Sequence, residues 1–323
     1  MATYKAIKGH NIQMVAGDPS NLAAGLIWYD SVAKKVQGAK LADGSWATGG
    51  ALNTARRALR GCGIQTAGLA MAGATVAITE EYDGNSWTES GDLGTARYAG
   101  ASAGTQTAGL YAGGFDDPGT CITASEEYNG TSWTEGDNLG AGRYFVAGLG
   151  TQTAAFATGG GPQSPRNAAA IVESYNGTSW TETTDFNTSK KRHGAAGTTT
   201  AALVFGGDAP GATATTETYD GSSWTEVGDL NTARHGIGGF GTNTAALAAS
   251  GGPSPSPPFT VNCEKWDGTS WTETANVSTG RRQSGAAGTT SLAFMAGGSA
   301  GPPATDVCEE FTAGVSTETV AFD

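Results

Sequence analysis

The most regular chemistry-bearing residues of this chain are charged. Arg56, Arg97, Arg143, Arg192, Arg234 and Arg281 each precede a run of small residues, and Glu80, Glu126, Glu173, Glu217, Glu264 and Glu309 recur at steps of 46, 47, 44, 47 and 45. Two chemistries are open to such a set. A ring of arginines can bind an anion, or each Arg can pair with a repeat glutamate such as Glu126 or Glu173 and with loop carbonyls. The second reading explains why every repeat carries both charges. His10, His193 and His235 are the only histidines, and the last two follow a repeat Arg, where other repeats hold Arg57, Tyr98, Tyr144 and Arg282. They lie in adjacent repeats without a nearby Cys or a third His, so no metal site is expected. Cys62, Cys121, Cys263 and Cys308 are too scattered for a disulfide scaffold. Cys263 and Cys308 share one repeat position and read as small buried apolar residues. No nucleophile–base or paired-carboxylate order stands out, so no catalytic residue and no cofactor are assigned.

The elements that must position these residues are short strands. A phrase repeats as Glu80-Glu-Tyr-Asp-Gly-Asn-Ser-Trp87, Glu126-Glu-Tyr-Asn-Gly-Thr-Ser-Trp133, Glu173-Ser-Tyr-Asn-Gly-Thr-Ser-Trp180, Glu217-Thr-Tyr-Asp-Gly-Ser-Ser-Trp224 and Glu264-Lys-Trp-Asp-Gly-Thr-Ser-Trp271. A sixth copy, Glu309-Glu-Phe311, lacks the Trp. A fixed period in this range marks stacked supersecondary units. Asp-Gly or Asn-Gly between apolar runs predicts a tight hairpin with positive φ at its centre. Upstream, paired glycines (113–114, 159–160, 206–207, 251–252, 297–298, with Gly73-Ala74 in the first copy) close an apolar strand, and an Ala/Gly-rich strand precedes that one. This gives four short strands per repeat. The 51 glycines serve such a chain of turns.

The pattern resembles kelch repeats over residues 43–323: Arg, a small-residue strand, an apolar strand ending in Gly-Gly, Glu-x-Tyr-Asp, then Trp. The expected fold is all-β, a six-bladed kelch-like β-propeller preceded by a β-hairpin arm at 1–42. Asp43-Gly-Ser-Trp46 is an outer strand with no inner strands before it, and the last repeat lacks its Trp. Trp46 is therefore expected to complete the sixth blade beside Phe311, which removes an open edge.

Charge separates arm from repeats. Residues 1–42 hold five Lys against Asp18 and Asp30, while the net charge of the chain is −12. An acidic propeller argues against nucleic acid as ligand, and no apolar stretch is long enough to span or insert in a membrane. The five Lys read either as a dock for an acidic partner or as a means of keeping the arm soluble.

In the arm, Gly17-Asp-Pro-Ser-Asn-Leu-Ala-Ala-Gly-Leu-Ile-Trp-Tyr-Asp-Ser31 and Lys34-Lys-Val-Gln37 resemble a hairpin of tailed-bacteriophage virion proteins. That resemblance implies a virion structural protein, a tail-fibre or adhesin component that binds a host surface glycan or protein. Ile27, Trp28 and Tyr29 would then attach it to other virion proteins or to a second copy in a homo-oligomer. The alternatives are a capsid or tail decoration or adaptor protein with the propeller as a knob and, behind it, a polysaccharide-modifying enzyme. The loops after each Gly pair differ most among repeats, and Pro stiffens them. Phe115, Asp116, Arg166 and Phe259 are the expected ligand contacts there, with the aromatics and Arg as exposed anchors. The plainer reading is that exposed loops merely vary.

Overall fold

The computed structural model describes residues 13–17, 19, 26–41, 43–74, 76–116, 119–162, 164, 167–253 and 257–320, which form strands and turns and no helix. The chain divides into two compact units, Met1–Ser45 with Ala313–Asp323, and Trp46–Thr312.

The first unit holds a four-stranded sheet. The expected hairpin is present: Ile27–Asp30 pairs antiparallel with Lys35–Leu41 through a turn at residues 31–34. Asp30 shapes that turn. Its Oδ1 accepts the N–H groups of Val32, Ala33 and Gly17 at 2.8, 3.0 and 3.1 Å, and these bonds, led by Ala33, lower its pKa. Two neighbours were not foreseen. Gln13–Val15 runs parallel to the first hairpin strand, and Val315–Thr319 pairs antiparallel with the second. Val315–Thr319 thus leaves the repeat region expected for it and joins the arm sheet.

The second unit consists of repeated four-stranded antiparallel sheets, consistent with a β-propeller. Among the described residues there are six. The first comprises Arg60–Ile64, Ala67–Met71, Thr79–Tyr82 and Trp87–Glu89. The sixth comprises Gly285–Gly288, Leu292–Ala296 and Cys308–Thr312, and its fourth strand is Ser45–Thr48. Trp46 lies 5.3 Å from Phe311, ring to ring, and its indole N–H donates to Ala275 O at 3.0 Å. The chain-start strand does complete the Trp-less repeat.

The outer hairpins turn differently from expectation. Tyr82 faces Trp87 across the strands, so four residues, 83–86, form the loop. Only Gly84 has positive φ (93°), and Asp83 Oδ1 accepts the N–H groups of Asn85 and Ser86 at 2.8 Å each. The acid supplies an Asx turn and the glycine one left-handed step. Asn129, Asn176, Asp220 and Asp267 repeat the arrangement.

Aromatic rings fill the wedges between sheets. Trp87 stacks on Tyr82 at 4.7 Å and meets Phe294 of the sixth sheet edge-on at 5.6 Å. Glu-x-Tyr also acquires a rule. Where x is Glu, its carboxylate accepts the Tyr hydroxyl of the next sheet: Glu81 from Tyr128, Glu127 from Tyr175, and Glu310 from Tyr82. The fifth repeat has Lys265 at x, and its successor Phe311 has no hydroxyl to offer.

At the centre the strands touch backbone to backbone. Five residues after the repeat cation stand Gly61, Ser102, Gly148, Ala195, Gly239 and Ala286, alternating Gly with a small residue. A Cβ on Gly148 would lie 2.3 Å from Ser102 O, one on Gly239 2.8 Å from Ala195 N, and one on Gly61 2.9 Å from Ala286 N. Every second position is therefore glycine by steric exclusion.

The repeat cations are buried ion-pair partners. Arg97–Glu126, Arg143–Glu173 and Arg281–Glu309 meet at 2.8, 2.7 and 2.7 Å, and Arg56–Glu80 and Arg234–Glu264 at 2.9 and 3.0 Å. In the fourth repeat the partner of Glu217 is Lys190, at 3.3 Å, and not the expected Arg192. The second carboxylate oxygen of each Glu accepts a backbone N–H from the segment before the cation, as Glu173 does from Gly140 at 2.6 Å. Removing the charge from one partner leaves the other buried and uncompensated, at a cost of about 3–5 kcal/mol. Glu173→Gln should lower the unfolding free energy by about that amount, measured by urea denaturation. A midpoint within error of the unaltered chain would show that the pair contributes little.

Candidate functional site

The segments that carry the repeat cations also form one face of the second unit. Two residues after each cation stand Ala58, Ala99, Phe145, Arg192, Gly236 and Gln283, all at φ between 55° and 70°. Their backbones bond from sheet to sheet. Ala99 N donates to Ala58 O, Val146 N to Ala99 O, Arg192 N to Phe145 O, Gly236 N to Arg192 O, Gln283 N to Gly236 O, and Ala58 N to Gln283 O. The series returns to its first member. Five of the six are not glycine, a strained choice that the bonds and neighbours must impose.

A second series lies beneath. The second residue of each Gly pair donates to the carbonyl of the next sheet's repeat cation: Gly73 to Arg97, Gly114 to Arg143, Gly160 to Lys190, Gly207 to Arg234, Gly251 to Arg281, Gly298 to Arg56. This corrects the repeat register in two places. The pair is Ala72-Gly73 in the first repeat and Ser250-Gly251 in the fifth. The second position is glycine in all six repeats, and a Cβ on Gly114, Gly251 or Gly298 would stand 2.7–2.8 Å from a carbonyl oxygen. At the first position a Cβ on Gly159, Gly206 or Gly297 would be as close, yet Ala72 and Ser250 occupy it in two repeats. The same offset corrects His193. It lies three residues after Lys190, whereas His235 directly follows Arg234.

The variable loops do share this face. In five repeats the residue after the cation bridges to the residue after the Gly pair: Tyr98 to Phe115, Tyr144 to Gly161, Lys191 to Asp208, His235 to Gly252, Arg282 to Ser299. The bridging also overturns the exposed anchors expected there. Phe115 is 6% exposed and packs on Tyr98 and Tyr144, with ring centroids 5.7 and 4.9 Å away. Phe259 is 9% exposed and lies under the Arg282 guanidinium at 5.0 Å. Asp116 folds its own loop, its Oδ1 accepting Thr120 N–H at 2.6 Å. Arg166 lies outside the described residues. In the arm, Trp28 is fully buried and Tyr29 half-buried, while Ile27 is exposed. By register Ile27 and Tyr29 share a face with the exposed Met14.

What the face offers instead is a cleft of about 660 Å³ between the loops of the third and fourth repeats, lined by Asn167, Asn187, Thr188, Ser189, Lys191 and Asp208 among others. Beside it the mouth of the axis gathers positive charge. Arg57, Lys191, Arg192 and Arg282 stand near enough to influence one another or His235, and Asp208 pairs with Arg192 at 3.0 Å. Arg192 also stacks on Phe145 at 4.0 Å. Among the described residues no group of three or more His, Cys, Asp or Glu gathers as a metal site would require.

Both histidines are buried here. Burial, with Lys190, Arg60 and Arg143 nearby, holds His193 well below its ordinary pKa, and burial with Arg192 brings His235 down to about 4 against the pull of Asp208. Cys62 and Cys308 are pushed up to about 12, chiefly by burial, which keeps them protonated and inert.

Fold and face together are consistent with a β-propeller whose loop surface carries a cleft of mixed polar and apolar lining beside a basic cluster. No family model matches the chain, and no curated protein matches it. Among solved structures it is similar to the one described as "Structure of YjhT", at 13% identity and a TM-score of 0.71, over 83% of this chain and 99% of that one. At that identity the likeness shows the fold alone.

The histidines set a pH dependence. Their folded pKa values lie below the unfolded value of about 6.5, so between about pH 6.5 and 4 the unfolded chain binds more protons and stability falls as pH falls. Each contributes a slope of up to about 1.4 kcal/mol per pH unit. Lowering pH from about 7 to 5.5 should therefore destabilise the chain more than the His193→Gln, His235→Gln double variant, as read from urea midpoints. Equal losses would mean that neither imidazole is held neutral.

Proposed function

We propose that this chain is a closed, six-bladed, kelch-like β-propeller acting as the binding module of a tailed-bacteriophage virion. In this reading it is a tail-fibre or adhesin component that binds a host surface glycan on its loop face and does no covalent chemistry. Closure is supported by the two hydrogen-bond series that return from the sixth sheet to the first. The phage assignment rests on the resemblance of the arm hairpin and of the repeats.

One observation carries the binding role: the cleft between the third and fourth repeats. Its volume falls in the range of about 300–1,000 Å³ usual for ligand sites. Its lining of amides, hydroxyls, one Lys and one Asp suits a ligand rich in hydroxyl groups. Two of the variable loops contribute to it, one through Asn167 and the other through Asp208, Ala209, Pro210 and Gly211. The arm supplies the attachment, through Ile27 and Met14 on the exposed face of its sheet and not through the buried Trp28.

Ala209 lines the cleft without making a side-chain hydrogen bond, so Ala209→Trp fills it from a turn on the surface. That variant should lose binding to an array of purified bacterial surface polysaccharides by about tenfold or more with an unchanged melting temperature. Unchanged binding would remove the cleft from consideration. No binding by the unaltered chain would favour a decoration or adaptor role, and cleavage of an arrayed polysaccharide would favour an enzyme. Separately, Ile27→Glu should abolish incorporation into particles while sparing polysaccharide binding, and normal incorporation would refute attachment through this face.

A further inference from the structure

One level of the axis breaks the small-residue rule. Four residues after the repeat cation stand Ala101, Ala147, Gly194, Gly238 and Gly285, but in the first repeat Arg60. Its guanidinium donates to Gly100 O at 2.5 Å, Leu59 O at 3.2 Å and Val146 O at 3.0 Å. Burial pulls Arg60 below the ordinary guanidinium value, and no carboxylate opposes that pull. Every repeat cation has its glutamate; among the described residues Arg60 has only carbonyls.

Arg60 lines a cavity of about 70 Å³ at the mouth of the axis, together with Arg192, His193, Gln283 and Ser284, and no Asp or Glu lines it. Unspent hydrogen-bonding capacity collects around it. Ser284 is 7% exposed and its Oγ has no protein partner. His193 meets Thr158 Oγ through Nε2 at 2.9 Å, while Nδ1 has no protein partner, and neither does Arg192 Nε. Thr158 Oγ donates its proton to Ala147 O at 3.0 Å, so it accepts from His193 Nε2–H, and Nδ1 is an acceptor that takes no part in holding an anion. Arg60 is a permanent cation without a counter-charge, and the one carboxylate beside it in the cluster, Asp208, is engaged by Arg192 at 3.0 Å outside the cavity, so the recess holds more positive than negative charge at a cost. A charge of opposite sign placed there would be bound by charge-assisted hydrogen bonds from prearranged donors.

We propose that this cavity binds a compact monovalent anion, a halide or a carboxylate, between Arg60 and Arg192, with the Ser284 hydroxyl as a neutral donor. The volume holds a few waters at about 10–15 Å³ each, which admits such an ion and not a sugar ring. The site is thus separate from the loop cleft and stands whether or not the cleft binds a glycan. An anion there would bridge the first, fourth and sixth sheets and stabilise the ring as any ligand of the folded state does.

The full chain, exchanged into sodium gluconate whose anion is too bulky to enter, is titrated with sodium bromide or sodium acetate at constant ionic strength, and its melting temperature is followed. The midpoint should rise with either salt and follow a single-site curve. Arg192→Gln should weaken the apparent affinity about tenfold or more, Ser284→Ala should weaken it by less, and Arg57→Gln, at the exposed mouth outside the cavity, should leave it unchanged. A response to acetate alone would assign the site to small carboxylates and not to halides. No response to either salt, or equal responses in the unaltered chain and Arg192→Gln, would overturn the proposal. Should Arg192→Gln fail to fold, bromide-soaked crystals of the unaltered chain decide: an anomalous peak in the cavity supports the site, and its absence refutes it.

Discussion

One buried cation per repeat, locked to a glutamate of its own sheet, is the interaction on which the rest of the second unit depends. Arg143 shows how much passes through a single residue. Its guanidinium donates to Glu173 on the third strand and to the carbonyls of Gly159 and Ile171, while its own carbonyl accepts the N–H of Gly114 from the preceding sheet. Side chain and backbone thereby tie two sheets and the connection between them. Such a pair adds little net stability compared with an apolar filling, because desolvation offsets attraction. What it supplies is position: in five repeats the planar fork of Arg meets Glu and carbonyls in a fixed geometry, and the strained left-handed residues that follow begin from it.

The repeat architecture was legible because its causes are local. The Asn-Gly and Asp-Gly loops, the small residues of the inner strands and the orphan strand at Trp46 each have one physical reason to recur. Where reasons are not local, alignment by residue type fails. Arg192 looks like the fourth repeat cation, but spacing to the axial Gly/small ring assigns that role to Lys190, since only Lys190 places Ala195 in its ring position. Arg192 instead takes a left-handed backbone (φ 57°) and turns to Phe145 and Asp208. The Gly-Gly motif misled in the same way, because Ala72 and Ser250 tolerate the first positive-φ position that glycine holds elsewhere.

The candidate site was less legible. Variability in the loops was read as exposure, yet Phe115 and Phe259 fold back onto residues from their own repeat or the next one around the face, contacts that no single segment reveals. The strand at 315–319 was missed because its partner, Lys35–Leu41, lies at the other end of the chain. Arg60 did leave a signal: it is the one large residue at a position where five repeats have Ala or Gly. Comparing repeats position by position, with the axis as reference, exposes such exceptions.

In the closed ring proposed above, the alternation at the axis constrains how the ring can grow or shrink. Gly61, Gly148 and Gly239 each lean on the backbone of the neighbour at Ala286, Ser102 or Ala195, so repeats come in two kinds that must take turns. Losing or gaining a single repeat would set two of one kind side by side. Two glycines would leave a gap, and two Cβ-bearing residues would collide. The unit of duplication compatible with this packing is the pair, and a sequence lineage built on it can change its repeat number only in steps that preserve parity.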